Sequence, residues 1–444
     1  MSLAVDDVAR MLIVLAVFLL AAHLGAALFF RLRQPPVIGE IAGGVLLGPS
    51  ALALAAPGAS SWLAPSGTPT AHLLGAVYHL GTILMVFLAG LEMRPGGQGA
   101  ERKTVLFTTV TGLVIPFAGG LAIAQVADLA ALAGPHGSAT AISLVLGLAI
   151  AVTSIPVISR IMMDLGILGT LFARTVLTVA VIEDVLLYVV LAVILGLANV
   201  QAHSTYGLPE LIGADGTGQY VAYYVAASVL FFVVLLAGGR PLFRWLSGSW
   251  RLRVLERRSP AALRLVFLFA LCLCCMALGI DPIFGALLAG VAMADPASAE
   301  SPGLGLLRGF ALAFFVPVYF ALVGFQIDLA HDLDLLFFGW LFAAACVVKF
   351  GSVWAGARLA GRTRTWSTDF AVAMNARGGP GIVLAAVTFA AGVINATFFV
   401  ALVLLSILTS QLAGVWLARS QRRGHGYLSP DLDGPQSTPQ QTAA

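Results

Sequence analysis

Apolar residues in this chain do not alternate with polar ones at strand or surface-helix spacing. They run in blocks of helical length, parted by short polar or Gly/Pro-bearing breaks. A helix needs about 20 apolar residues to cross a bilayer. Thirteen blocks stand out, at roughly residues 6–30, 35–52, 71–91, 104–128, 139–163, 171–198, 218–246, 261–280, 282–295, 307–327, 333–357, 368–392 and 395–418. The second and ninth are short and glycine-rich. The first opens on Asp6 and Asp7 and has no small-residue cleavage site, so it reads as a retained helix and not a signal peptide. Residues 419–444 hold Gly, Pro, Ser, Gln and Thr and are expected to form a short disordered cytoplasmic tail. The fold class is an all-α polytopic membrane protein, with one transmembrane domain over 1–418.

Composition sharpens this picture. Of 444 residues, 59% are hydrophobic and 10% charged, and the mean hydropathy is +0.97. Soluble domains carry about 25% charged residues, so an ordinary soluble enzyme, a disordered chain and a nucleic-acid binder are excluded. Cys272, Cys274, Cys275 and Cys346 all sit in apolar runs without metal-like spacing and read as small buried hydrophobes. The net charge of +3 is informative only by position. With the N-terminus outside, alternation through thirteen spans puts 21 of the 24 Lys+Arg on the inner side. Arg10 lies near the outer side, and Lys349 and Arg377 fall inside spans. The positive-inside rule therefore gives an N-out, C-in topology, and a cell inner membrane is the expected location.

The chain also repeats itself. Pro36-Val-Ile-Gly39-Glu-Ile-Ala-Gly43-Gly44-Val45 and Pro282-Ile-Phe-Gly285-Ala-Leu-Leu-Ala289-Gly290-Val291 share the pattern Pro-x-x-Gly-x-x-x-small-Gly-Val. Gly90-Leu-Glu92 ends the third span as Gly324-Phe-Gln326 ends the tenth. Thr153-Ser154-Ile-Pro156 in the fifth is matched in place by Arg377-Gly378-Gly379-Pro380-Gly381 in the twelfth. Each pair lies seven spans apart, and an odd offset inverts one half against the other, as in transporters with inverted-topology repeats. The repeats cover about 6–198 and 261–418, joined by a linker helix over 218–246. Helix breaks are expected at Pro156 and Pro380, since proline removes a donor and clashes with the preceding turn. Freed carbonyls at bilayer depth are tolerated only where they line a protein-filled or watery cavity.

Ionisable groups in hydrocarbon cost at least ~2.5–3.5 kcal/mol each, so they mark function by default. Glu183 and Asp184 lie mid-span, pointing about 100° apart on a helix. Lys349 lies deep in the eleventh span. The economical arrangement pairs one carboxylate with Lys349 and leaves the other for a mobile cation or proton. Arg377 can answer helix-end carbonyls at the crossing or pair with Glu92 near the inner surface. Glu40, in the second span, serves packing or capping as readily as an ion path. His23, His72, His79 and His136 have no clustered partners in sequence.

On these residues the chain resembles the monovalent cation:proton antiporter superfamily, and within it the second subgroup of Kef-type and NapA-like exchangers. The matching strings are Gln34-Pro-Pro-Val-Ile-Gly-Glu-Ile-Ala-Gly-Gly-Val-Leu-Leu-Gly-Pro-Ser50, Phe87-Leu-Ala-Gly-Leu-Glu92, Thr153-Ser-Ile-Pro-Val-Ile-Ser-Arg160 with Asp164-Leu-Gly166, Pro317-Val-Tyr-Phe-Ala-Leu-Val-Gly324, Lys349-Phe-Gly351 and Asn375-Ala-Arg-Gly378. The resemblance implies thirteen helices with two crossed, broken ones, spans 5 and 12, and a homodimer in which a core domain moves against a dimerisation domain. It further implies that Asp184 carries the ion and the proton, that Glu183 is its partner, and that Lys349 pairs with Glu183. Glu183 stands where electrogenic relatives carry a first Asp. No counterpart of the cytosolic nucleotide-binding domain of Kef proteins, and no nucleotide gating, is expected.

The expected function is secondary antiport of Na+ or K+ against H+. Thr153, Ser154 and freed backbone oxygens at the crossing of Pro156, Gly378, Gly379 and Pro380 would complete a hard-oxygen shell around a monovalent cation at Asp184. No enzyme activity and no cofactor are expected. The rivals are a cation channel or sensor on the same scaffold, and a proton-coupled exporter of an organic solute. A Ser154–Lys349 hydrolase pair has no supporting sequence context.

Overall fold

The computed structural model describes residues 4–32, 36–63, 69–92, 102–127, 129–201, 217–249, 258–294 and 302–425. Among these the chain is helical, apart from turns, one 3-10 turn, one π-helical turn and a single isolated bridge between Ala133 and Ile394. In chain order the helices are α1 (Val5–Arg31), α2 (Pro36–Leu47), α3 (Leu52–Ala55), α4 (Pro57–Leu63), α5 (Pro69–Glu92) and α6 (Arg102–Val126). Then come α7 (Ala139–Ala151), α8 (Ile155–Asp164), α9 (Leu171–Gln201), α10 (Thr217–Gly248), α11 (Pro260–Ala277) and α12 (Pro282–Met293). The last are α13 (Pro302–Phe310), the π turn Ala311–Phe315, α14 (Val316–Phe325), α15 (Leu335–Leu359), α16 (Arg364–Ala373), α17 (Gly378–Ala390) and α18 (Ala396–Arg422). Eleven helical stretches among the described residues are long and apolar enough to cross a membrane, and Ala139–Ala151 and Pro282–Met293 are shorter apolar helices.

Local chemistry starts these helices. Ser138 caps α7 by accepting from Ala141 N at 3.1 Å, and Asp334 caps α15 from Leu336 N and Phe337 N at 2.9 and 3.0 Å. Asp281 caps α12, where Pro282 fills a first-turn position that needs no donor. The last helix runs on to Arg422, past the boundary placed at 418, with Arg419 and Arg422 in its last turn. Basic side chains there complement the carbonyl end of the helix, and Ser420 donates to Asp369 Oδ1 at 2.7 Å. The tail was expected to be disordered from 419, so this is a correction for 419–425. Residues 426–444 lie outside the described residues, as do Arg33, Arg94, Arg251, Arg253 and Arg257.

Two groups of helices emerge from the packing. In one, α1 and α2 pack together, α2 packs on α14, α5 on α12, and α11 on α12. In the other, α6, α7, α9 and α15 pack around one another, and α17 and α18 close against α8. The long α10 touches α9 on one side and α12 on the other. The repeated motif governs the first group. A side chain carbon at Gly90 would collide with the Leu287 carbonyl oxygen, and one at Gly324 would collide with that of Ile41. Gly90 and Gly324 are matching positions, and Ile41 and Leu287 each follow their motif proline by the same spacing. Matching residues therefore make matching backbone contacts across the two halves, and close approach of this kind is how helices associate where lipid supplies no hydrophobic drive.

Candidate functional site

The second group of helices holds two interruptions. Helix α7 ends at Ala151 and α8 starts at Ile155; α16 ends at Ala373 and α17 starts at Gly378. The breaks were expected at Pro156 and Pro380, but they fall just before these prolines, at 152–154 and 374–377. Pro156 and Pro380 lie in the first turns of the helices that follow, where the missing N–H costs nothing and the fixed φ suits the helix.

The two breaks are stitched to each other. Ser154 N donates to Ala376 O at 2.7 Å, and Thr153 Oγ1 donates to Met374 O at 2.6 Å. Gly378 N donates to Ser410 Oγ of α18 at 3.0 Å. Gly378 has φ +34°, and a side chain carbon there would collide with Val157 and lie 2.7 Å from Ser154 Oγ. Only glycine fits both the backbone angle and the approach.

Two cations answer the carbonyl end of α7. Arg377 donates from Nε to Ala149 O at 2.8 Å and from Nη2 to Ile150 O at 2.9 Å. It also donates to Ala345 O at 2.8 Å, to Asn375 O at 3.1 Å and to Asn375 Oδ1 at 2.6 Å. Of the two roles open to Arg377, these contacts are those of a carbonyl-capping fork. Glu92 is the last residue of α5, and its side chain lies outside the described residues. Lys349 Nζ donates to both oxygens of Glu183 at 2.9 Å, to Gly112 O at 2.8 Å and to Ala151 O. The relative exposures of Glu183, Asp184 and Lys349 are 1%, 1% and 0%, so this charge constellation is sealed from bulk solvent.

The carboxylate that Lys349 grips is therefore Glu183. Asp184 follows on α9, turned about 100° away, within electrostatic reach of Lys349 and of Tyr188 one turn on. Thr153 stands beside Glu183, while its own hydrogen goes to Met374 O. Ser154 Oγ accepts from Val157 N at 3.4 Å. Gly379 and Gly381 begin α17 beside Met85 and Ser406 respectively. Glu40 is buried in α2, in the other helix group.

Three further residues, not singled out by the sequence pattern, contribute. Gly112 of α6 offers Lys349 a bare carbonyl, and a side chain carbon there would lie 3.2 Å from Glu183 Oε1. Ser406 and Ser410, one turn apart on α18, line the start of α17. The i, i+4 spacing of small hydroxyl residues was the available signal.

Comparison with known proteins agrees with this architecture. The family described as sodium/hydrogen exchanger, transmembrane, matches residues 17–420. The Na(+)/H(+) antiporter NhaS4 of Synechocystis sp. is 27% identical over 419 residues, covering 91% of this chain and 96% of that protein. The Na(+)/H(+)-K(+) antiporter GerN of Bacillus cereus is 29% identical over 403 residues, covering 90% and 93%. The K(+)/H(+) antiporter 1 of Saccharomyces cerevisiae is 26% identical over 393 residues, covering 86% of this chain and 43% of its own length. Among solved structures, the sodium proton antiporter MjNhaP1 of Methanocaldococcus jannaschii superposes with a TM-score of 0.62 at 15% identity, over 94% of this chain and 99% of that one, a likeness of fold. Matched from residue 17 to residue 420, the chain belongs to the transmembrane sodium/hydrogen exchanger family.

Proposed function

We propose that this protein is a secondary antiporter that exchanges Na+ or K+ for H+ by alternating access, with Asp184 as the shared carrier of cation and proton. One observation carries the reading: a buried carboxylate stands next to a fully engaged Glu183–Lys349 pair at the crossing of two interrupted helices. Within this cluster Glu183 and Asp184 offset Lys349 and Arg377, so the fully ionised site is formally neutral. A single monovalent cation or a single proton changes its charge by the same amount. Either occupant is therefore electrostatically equivalent at long range, and they differ only in the oxygens they require. A proton needs Asp184 alone. A cation needs a shell of hard oxygens, for which Thr153, Ser154 and the carbonyls released at 152–154 and 374–377 are at hand.

The reading includes thirteen crossings, the N-terminus outside and the C-terminus in the cytoplasm, a bacterial-type inner membrane and a homodimer. The distribution of basic residues supports the orientation, and the matching contacts of Gly90 and Gly324 support inverted repeats. The names of the relatives support both alkali cations, since GerN is named for Na(+) and K(+) together.

The test is cation-driven proton flux in proteoliposomes, with Na+, K+, Li+ and Rb+ offered in turn, on the wild type and on Asp184→Asn. Asn keeps size and hydrogen bonding but cannot cycle a proton. The wild type should move protons only when a cation is offered in exchange, and the variant should be folded and silent. Exchange at the wild-type rate by Asp184→Asn would remove Asp184 from its role, and flux without a counter-ion would replace the antiporter by a channel.

A further inference from the structure

Two buried tyrosines, Tyr188 and Tyr319, and the half-buried Tyr78 continue from Asp184 toward one face of the membrane. Tyr188 follows Asp184 by four residues on α9, so the two share a face one turn apart. Tyr319 of α14 lies within electrostatic reach of Tyr188. Its ring meets that of Tyr78 of α5, with centroids 5.1 Å apart. Tyr78 in turn meets the ring of exposed His79 at 5.8 Å, edge to face. The series runs from the helix group that holds the charge cluster, across to the group built by α5 and α14.

Tyrosine in a core needs a partner for its hydroxyl, and most buried hydroxyls find one. The Tyr188 and Tyr319 hydroxyls are both buried, and neither makes a hydrogen bond among the described residues. The Tyr319 hydroxyl stands beside those of Thr82 and Tyr78 but makes no well-aligned bond to either, and Thr82 donates to Tyr78 O at 2.9 Å. Phenylalanine would fill the same volume without this cost, and the chain uses it beside them, as at buried Phe320, whose ring meets that of Tyr319. The hydroxyls are thus held at an expense that packing does not explain.

We infer that Tyr188, Tyr319 and Tyr78 line the access route between Asp184 and the side of the membrane that bears the N-terminus, their hydroxyls standing in for water around a monovalent cation or passing a proton. The inference rests on Asp184 being the carrier. Direction follows from the chain: α9 leads from Asp184 past Tyr188 toward Gln201, and Tyr78 lies in the half of α5 nearer Pro69. In the proposed orientation both ends are outside. A phenol oxygen is both donor and acceptor, so one set of groups serves a hydrated cation and a proton alike. Because Tyr188 belongs to one helix group and Tyr319 to the other, the route lies along the seam between them. These tyrosines touch the passing ion or proton on its way to and from Asp184, which remains the carrier.

The test uses Tyr188→Phe, Tyr319→Phe and the double variant in the full-length protein, reconstituted with controlled orientation. Exchange is measured with Na+ or K+ offered from either face. Removing two hydroxyls should raise the half-saturating cation concentration roughly tenfold from the N-terminal face, while the value from the opposite face changes less than about twofold. Equal shifts from both faces, or no shift from either, would overturn the route. Thermal melting checks the fold, and if the double variant does not melt cooperatively, the single variants decide by the same criterion. Asp184→Asn, run in parallel, separates the two claims. An active Asp184→Asn defeats the carrier reading itself. An inactive one beside unaffected tyrosine variants defeats the route alone.

Discussion

Replacing Lys349 by alanine removes one amine and strands three partners at once: the Glu183 carboxylate and the carbonyls of Gly112 and Ala151. Breaking a buried ion pair by deleting one member costs about 3–5 kcal/mol. Each carbonyl left dry adds about 1–3 kcal/mol, less whatever is recovered when the crossing relaxes or Glu183 takes up a proton. A net loss of about 3–5 kcal/mol is expected. For a cooperative unit the size of one helix group, roughly 200 residues, this lowers the melting temperature by about 7–12 °C. Glu183→Gln should cost less, because Lys349 keeps both carbonyls and still faces an amide oxygen. The sign with pH follows from the stranded group. In Lys349→Ala, protonation of Glu183 relieves an unpaired buried charge that the wild type does not have, so the native state of the variant gains a proton as pH falls. Its deficit should therefore narrow toward acid pH and widen toward alkaline pH. The assay is thermal unfolding of the detergent-solubilised protein across pH, for both single variants and the double. The double should fall short of the sum of the singles by more than about 1 kcal/mol. Strict additivity, or a deficit independent of pH, would refute the pairing as the source of the stability.

Protons should compete with the transported cation, so that half-saturating Na+ or K+ rises as pH falls while maximal velocity changes less. Measuring both constants at several pH values checks this, and a constant half-saturation would rule out one shared carboxylate. Gly378→Ala should disrupt the crossing, since the left-handed backbone alone costs about 1–3 kcal/mol and the new methyl meets Val157 and Ser154. Loss of exchange together with a lowered melting temperature is expected, and an active variant of wild-type stability would show that the crossing tolerates repacking.

Some of this protein is written locally. Block length and apolarity are properties of a segment and its solvent, so the spans of α1, α5, α6, α9, α15 and α18 could be read from the chain, because lipid leaves a helix as the only way to satisfy a lone segment's backbone. The expense of charge in hydrocarbon likewise singled out Glu183, Asp184, Lys349 and Arg377 before any geometry was known. The recurrence of Pro-x-x-Gly-x-x-x-small-Gly-Val is also local, and it exposed the paired construction of α2 and α12. What the tertiary structure decided depends on how helices are rotated against one another. Adjacent carboxylates on α9 are equivalent in sequence, and only the approach of α15, 166 residues away, gives Lys349 to Glu183. The helix breaks precede their prolines because Ser154 and Ala376 find each other across the crossing. Gly112 supplies a carbonyl, and Tyr188 and Tyr319 come within electrostatic reach of each other across a seam, for the same reason. A hydrogen bond acts over about 3 Å, and a turn of one helix by a single residue swings its side chains through about 100°. Such contacts are fixed by the simultaneous packing of many segments, which no one segment records.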